Sequence, residues 1–87
     1  MTINFPNECR SFDVKRNLIR FWGYDSALEI SFFLEVSALY KLYPQMKNIE
    51  EGYLEAFDVA RERIYETASK AYSRHGEGAY LLVASDF

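Results

Sequence analysis

Leu54, Phe57, Ala60, Ile64, Ala68 and Ala71 recur at steps of three and four residues between Asn48 and Gly76. That spacing puts them on one side of an α-helix, with Tyr53 and Tyr72 at the edges of the stripe. The segment therefore predicts one long amphipathic helix that must bury this stripe against another layer. Asn48, with Glu51 three positions later, has the pattern of a capping box. Acidic residues fill the first turn and Lys70 and Arg74 the last, which suits the helix dipole. Gly76 is placed to end the helix as a left-handed cap. Gly52 is the one discordant residue, costing up to ~1 kcal/mol inside a helix.

The layer that receives the stripe is legible upstream. Arg10 to Val14 alternates weakly, Lys15-Arg16-Asn17 is a polar turn, and Leu18 to Trp22 is a stronger strand. Gly23-Tyr24-Asp25-Ser26 reads as the next turn. From Ala27 to Leu34 the pattern has period two: Leu28, Ile30, Phe32 and Leu34 share a face opposite Glu29 and Ser31. Phe33 interrupts the polar face, so that side also asks for cover. A short strand at Ile3-Asn4-Phe5 precedes the meander. Val36, Leu39, Tyr40 and Tyr43 then switch to helical spacing, and Pro44 stops that helix. Downstream, Ala79 to Ala84 is nearly all apolar, the pattern of a strand buried on both faces.

The expected fold is α+β: an antiparallel sheet, in the order β-β-β-α-α-β, with two helices packed on one face. Eighty-seven residues make a single domain, residues 1–87. Seven Phe, seven Tyr and one Trp supply the core bulk that so short a chain needs, each burying roughly 150–250 Å². Seven tyrosines exceed what the core can take with every hydroxyl satisfied, and the surplus suits a subunit interface or a ligand groove.

Composition closes several routes. One cysteine, Cys9, allows no internal disulfide, and Cys9 with the lone His75 cannot furnish a four-ligand zinc site. A thiol–imidazole catalytic pair would also need an orienting group that nothing in the sequence supplies. No basic-then-apolar leader and no run of 18 apolar residues occurs, so the expected location is the cytoplasm. The net charge of −3 does not advertise nucleic-acid binding. Phosphate-cradle, dinucleotide, nucleophile-elbow and metalloprotease motifs are absent, and neither a cofactor nor a catalytic residue is expected.

Three side-chain groups remain. Glu51, Glu55, Asp58, Glu62 and Glu66 share a helix face, read as a solvated surface opposite the apolar stripe. Arg61, between Phe57 and Ile64 at the stripe's edge, requires either a structural ion pair with Asp13 or Asp58 or an anionic ligand. Arg10, Lys15, Arg16 and Arg20, interleaved with Phe12, Phe21, Trp22 and Tyr24, have the composition of a basic aromatic hairpin able to hold single-stranded nucleic acid.

Ile3-Asn4-Phe5, Phe12-Asp13, Ile19-Arg20-Phe21, Ala38-Leu39 and Ala56-Phe57-Asp58 with Arg61, Ile64, Ala68 and Tyr72 resemble the short bacterial proteins catalogued as domain of unknown function 1488. The resemblance spans essentially the whole chain. It implies a stand-alone α+β domain with no assigned activity, and it transfers no catalytic residue. The sequence alone thus favours a small non-enzymatic interaction or regulatory module, a homodimer with a further protein partner possible. The alternative is a nucleic-acid-binding regulator using the N-terminal hairpin, and a third reading is an anion-binding aromatic pocket.

Overall fold

The computed structural model describes residues 3–75 and 78–87. Three antiparallel strands come first: β1 (Arg10–Asp13), β2 (Leu18–Asp25) and β3 (Leu28–Glu35). Helices α1 (Val36–Leu42), α2 (Glu50–Val59) and α3 (Arg61–His75) follow, then β4 (Ala79–Leu82) and a short 3₁₀ turn at Ala84–Asp86. The sheet order is β1-β2-β3-β4. Strand β4 runs parallel to β3, so the sheet is mixed rather than purely antiparallel. The intervening helices form the crossover that a parallel pair requires.

The meander follows its turn chemistry. Asn17, at φ 56°, closes the β1–β2 turn and donates its backbone N–H to the Asp13 carbonyl at 2.8 Å. Ser26, also at φ 56°, lies in the two-residue link between Asp25 and Leu28. Gly23 belongs to β2 instead of the turn. A Cβ there would lie 2.7 Å from the Asn4 carbonyl oxygen, because Asn4 and Tyr24 exchange backbone hydrogen bonds of 2.8 Å. The expected strand at residues 3–5 is this single bridge.

The sheet's helix-facing side carries Ile19, Phe21, Ile30, Phe32, Leu34 and Leu82, all buried against Phe57, Ile64, Ala68 and Tyr72. Phe21 and Phe32 stack at 5.2 Å between ring centroids, and Phe57 tilts onto Phe21 at the same distance. Tyr72 meets Tyr80 edge-on at 6.2 Å.

Four further expectations change. The long helix is two helices, separated at Ala60 (φ −95°, ψ 10°). A straight 26-residue helix would be about 39 Å long, longer than the molecule's greatest extent of 35 Å. The break turns α3 back toward β4 while α2 stays over β1. Second, Ile49 rather than Asn48 caps α2, with no side-chain cap bond; the Asn48 side-chain oxygen accepts the Tyr53 hydroxyl instead. Third, β4 is an edge strand with one covered face: Tyr80 and Leu82 are buried, Ala79 and Leu81 exposed. Leu28, expected in the core, lies at the open end of the sheet and is also exposed. The expected cap at Gly76 and the side chain of His75 lie outside the described residues.

Candidate functional site

Two groups of side chains stand out, one on each side of the sheet. On the helix side, Asp58 near the end of α2 gathers two guanidinium groups. Arg10 of β1 grips its carboxylate in a fork, Nε to Oδ1 and Nη2 to Oδ2, both at 2.9 Å. Arg61, opening α3 three positions later, donates to Oδ1 at 2.5 Å and reaches the Glu8 carboxylate at 3.5 Å. The Arg61 side chain is only 15% exposed and lies over Phe57, its guanidinium 5.5 Å from the ring centroid. Phe5 stacks on Tyr65 at 4.1 Å and closes the group from the N-terminal side.

The Arg61 environment is a structural ion-pair cluster. Two carboxylates answer two guanidinium groups, so no excess positive charge is left to draw an anion. Asp13, the other expected partner of Arg61, is elsewhere: it sits in the β1–β2 turn, where its carboxylate accepts the Arg16 backbone N–H at 3.1 Å. Arg61 Nε and the Tyr65 hydroxyl are buried without a hydrogen-bond partner among the described residues. Burial pushes the Tyr65 hydroxyl above its usual pKa, against the opposing pull of the Arg61 charge.

Among the described residues, no helix covers the other side of the sheet. Strand alternation places Leu18, Arg20, Trp22 and Tyr24 of β2 there, with Glu29, Ser31, Phe33 and Glu35 of β3 and Ala79 and Leu81 of β4. Arg20 stacks on Trp22, its guanidinium 4.5 Å from the ring centroid, and donates to Glu29 at 3.2 Å and to Ser31 at 3.1 Å. The Tyr24 hydroxyl also donates to Glu29, at 3.3 Å. Beside this polar half runs an apolar ridge of Trp22, Phe33, Ala79 and Leu81, in which Leu81 is 54% exposed. Arg16 reaches over Phe33 from the turn, 5.9 Å from its ring centroid.

The four basic residues of the expected nucleic-acid surface do not converge. Arg10 faces the helices and Lys15 lies in the turn, while Arg20 stacks on Trp22 on the open face and Arg16 reaches over that face from the turn to Phe33. Cys9 is exposed. Among the described residues, no three His, Cys, Asp or Glu side chains are placed to hold a metal, and no helix is long and apolar enough to cross a membrane. Glu8 and Tyr65 were missed in the sequence. Glu8 meets Arg61 across 53 positions, and Tyr65 is one aromatic among many.

A family model described as protein of unknown function (DUF1488) matches residues 3–82. The chain belongs to the DUF1488 family. A crystal structure of a DUF1488 protein of unknown function from Shewanella loihica PV-4 has the same fold, with a TM-score of 0.83 at 24% identity over 93% of this chain and 91% of that one. No curated protein matches. Membership therefore brings a fold without an assigned activity.

Proposed function

We propose that this DUF1488 protein is a non-enzymatic interaction module that pairs with a second copy through its open sheet face. The observation that carries the reading is the apolar ridge of Trp22, Phe33, Ala79 and Leu81, in which Ala79 and Leu81 are exposed and Trp22 and Phe33 are half-buried under Arg20 and Arg16, in a protein whose opposite sheet face is buried under three helices. An apolar ridge rimmed by polar residues is the usual form of a docking surface. A second copy fits it because the face holds charges of both signs, Arg16 and Arg20 against Glu29 and Glu35, and meets itself without net repulsion. The acidic whole molecule and the pairing of Arg20 with Glu29 count against nucleic acid as the occupant.

The size of the face sets the strength. Four strands about 4.8 Å apart and up to eight residues long present at most about 500 Å² per copy, the low end for specific interfaces. The pairing should therefore be reversible in the micromolar range. Sedimentation equilibrium from about 1 to 200 µM checks this. Wild type should pass from monomer to dimer, while Phe33→Lys stays monomeric with an unchanged melting temperature. A wild type that remains monomeric throughout, or a Phe33→Lys variant that dimerises equally well, would refute the reading.

A further inference from the structure

We propose that the free edge of β4, together with the groove between β4 and α3, accepts an extended acidic segment of a partner protein as a fifth strand. This surface is distinct from the sheet face that pairs two copies, although both adjoin Leu81.

The edge is open. The Ser31 backbone N–H donates to the Gly78 carbonyl at 3.0 Å, which fixes the alternation of the parallel ladder. Tyr80 and Leu82 therefore turn their backbone groups toward β3, and Ala79 and Leu81 turn theirs outward. Among the described residues, nothing bonds these outward groups. The two edges of the sheet also differ in protection. β1 carries Arg10 and Asp13, is followed by Lys15 and Arg16, and is tied to α2 through Asp58. Residues 79–83 contain no charge and no proline, the devices that normally blunt an edge.

The groove supplies the chemistry. It holds about 310 Å³, with Leu82 and Asp86 on one wall and Arg63, Glu66, Thr67, Lys70 and Arg74 on the other. Arg63, Thr67, Lys70 and Arg74 are spaced four, three and four, so they form one row on the helix. Arg63 and Arg74 make no ion pair among the described residues, and Lys70 has only a 3.5 Å contact with Glu66. The Asp86 carboxylate is already engaged, accepting the Val83 backbone N–H at 2.7 Å. Arg63, Lys70 and Arg74 thus face two carboxylates, Glu66 and Asp86, which leaves the groove a net positive charge of one, with Arg63 and Arg74 at its two ends outside any ion pair among the described residues.

Length and alternation define the partner. Arg63 to Arg74 spans about 16 Å of helix, the length of about five extended residues. Side chains on the helix side of an added strand would meet the basic row, and those on the other side would extend the ridge at Leu81. The segment should therefore alternate acidic and apolar residues. The β4 strand of a second copy does not meet this requirement, since its helix-side residues are Tyr80 and Leu82 and its own basic row would oppose the first.

The test uses the full chain and a fluorescent-labelled peptide alternating Glu and Val over six residues, read by fluorescence anisotropy at low salt. Saturable binding is expected, weakened about tenfold or more by Arg63→Glu combined with Arg74→Glu, and reduced by added salt. A peptide with Lys in place of Glu should not bind. Leu81→Pro, which removes an outward N–H without touching the ladder to β3, should weaken binding in a protein with an unchanged melting temperature. Amide exchange at Ala79 and Leu81 should slow in the complex. Trp22→Lys, on the dimer face but two strands away from β4, should bind the peptide as well as wild type, which separates this surface from the dimer face. Absence of binding at millimolar peptide, equal binding of the Lys peptide, or indifference to the double Arg variant would overturn the proposal, as would exchange protection confined to β1.

Discussion

Arg61 and Arg63 stand two positions apart on α3 in different surroundings. Arg61 is mostly buried, bonded to Asp58 and packed on Phe57; Arg63 is exposed beside the α3 groove. Removing Arg61 unpairs a carboxylate that also anchors Arg10 and strips packing from an aromatic face. Arg61→Ala should therefore cost about 1–2 kcal/mol and Arg63→Ala within about 0.5 kcal/mol, a difference of several degrees in melting temperature. Equal melting temperatures for the two variants would contradict this. At this scale the sequence was partly legible. Asp58 lies one helical turn from Arg61 and was foreseeable; Glu8 and Arg10 reach the same place from the far end of the chain, where spacing carries no information.

Gly52 shows how a neighbouring element decides a residue. In the sequence it is a misfit near the start of a helix, yet a Cβ there would lie 2.1 Å from the Lys47 carbonyl oxygen. The 43–49 connection crosses the first turn of α2 and leaves room for nothing larger. Alanine should gain up to ~1 kcal/mol in helix propensity, but overpacking against backbone costs about 1–3 kcal/mol and wins. Thermal denaturation of Gly52→Ala should show a clear loss; a variant more stable than wild type would disprove the close approach. The other differences have the same origin. The period-two pattern located β2 and β3 because one face of each is buried, and Pro44 ended α1 on schedule. The break at Ala60 has no glycine or proline to announce it, since it comes from the limited length of sheet beneath. An apolar run cannot tell a strand covered on both faces from an edge strand with one open face, and Ala79 to Ala84 is such a run.

Tyr72 joins the two layers of the whole molecule. Its hydroxyl, on α3, donates to Asp25 at the end of β2 at 2.6 Å. That bond to a carboxylate, with burial behind it, pushes its pKa up to about 12 from the ordinary 10. The folded state thus holds the proton more tightly than the unfolded chain. The stability this bond contributes is full below pH 10 and is lost as pH rises through 12. Tyr72→Phe should be less stable than wild type at neutral pH, and the gap should close between pH 10 and 12. Urea denaturation of both proteins across that range checks it, and a gap that stays constant would rule the linkage out. The layered α+β plan was readable because helical and strand periods occupy separate stretches of sequence. The pairing of β4 with β3 was not, because an alternating pattern names a face and never a neighbour. That pairing also shapes the route to the folded state. The meander closes through turns of a few residues, whereas Ser31 meets Ala79 only after the whole crossover between them has been drawn in. Loops that long form late and slow the search. Until β4 arrives, the β3 edge is bare beside Phe32 and Leu34, so the interval before its docking is when this chain is most exposed to sticking to its neighbours.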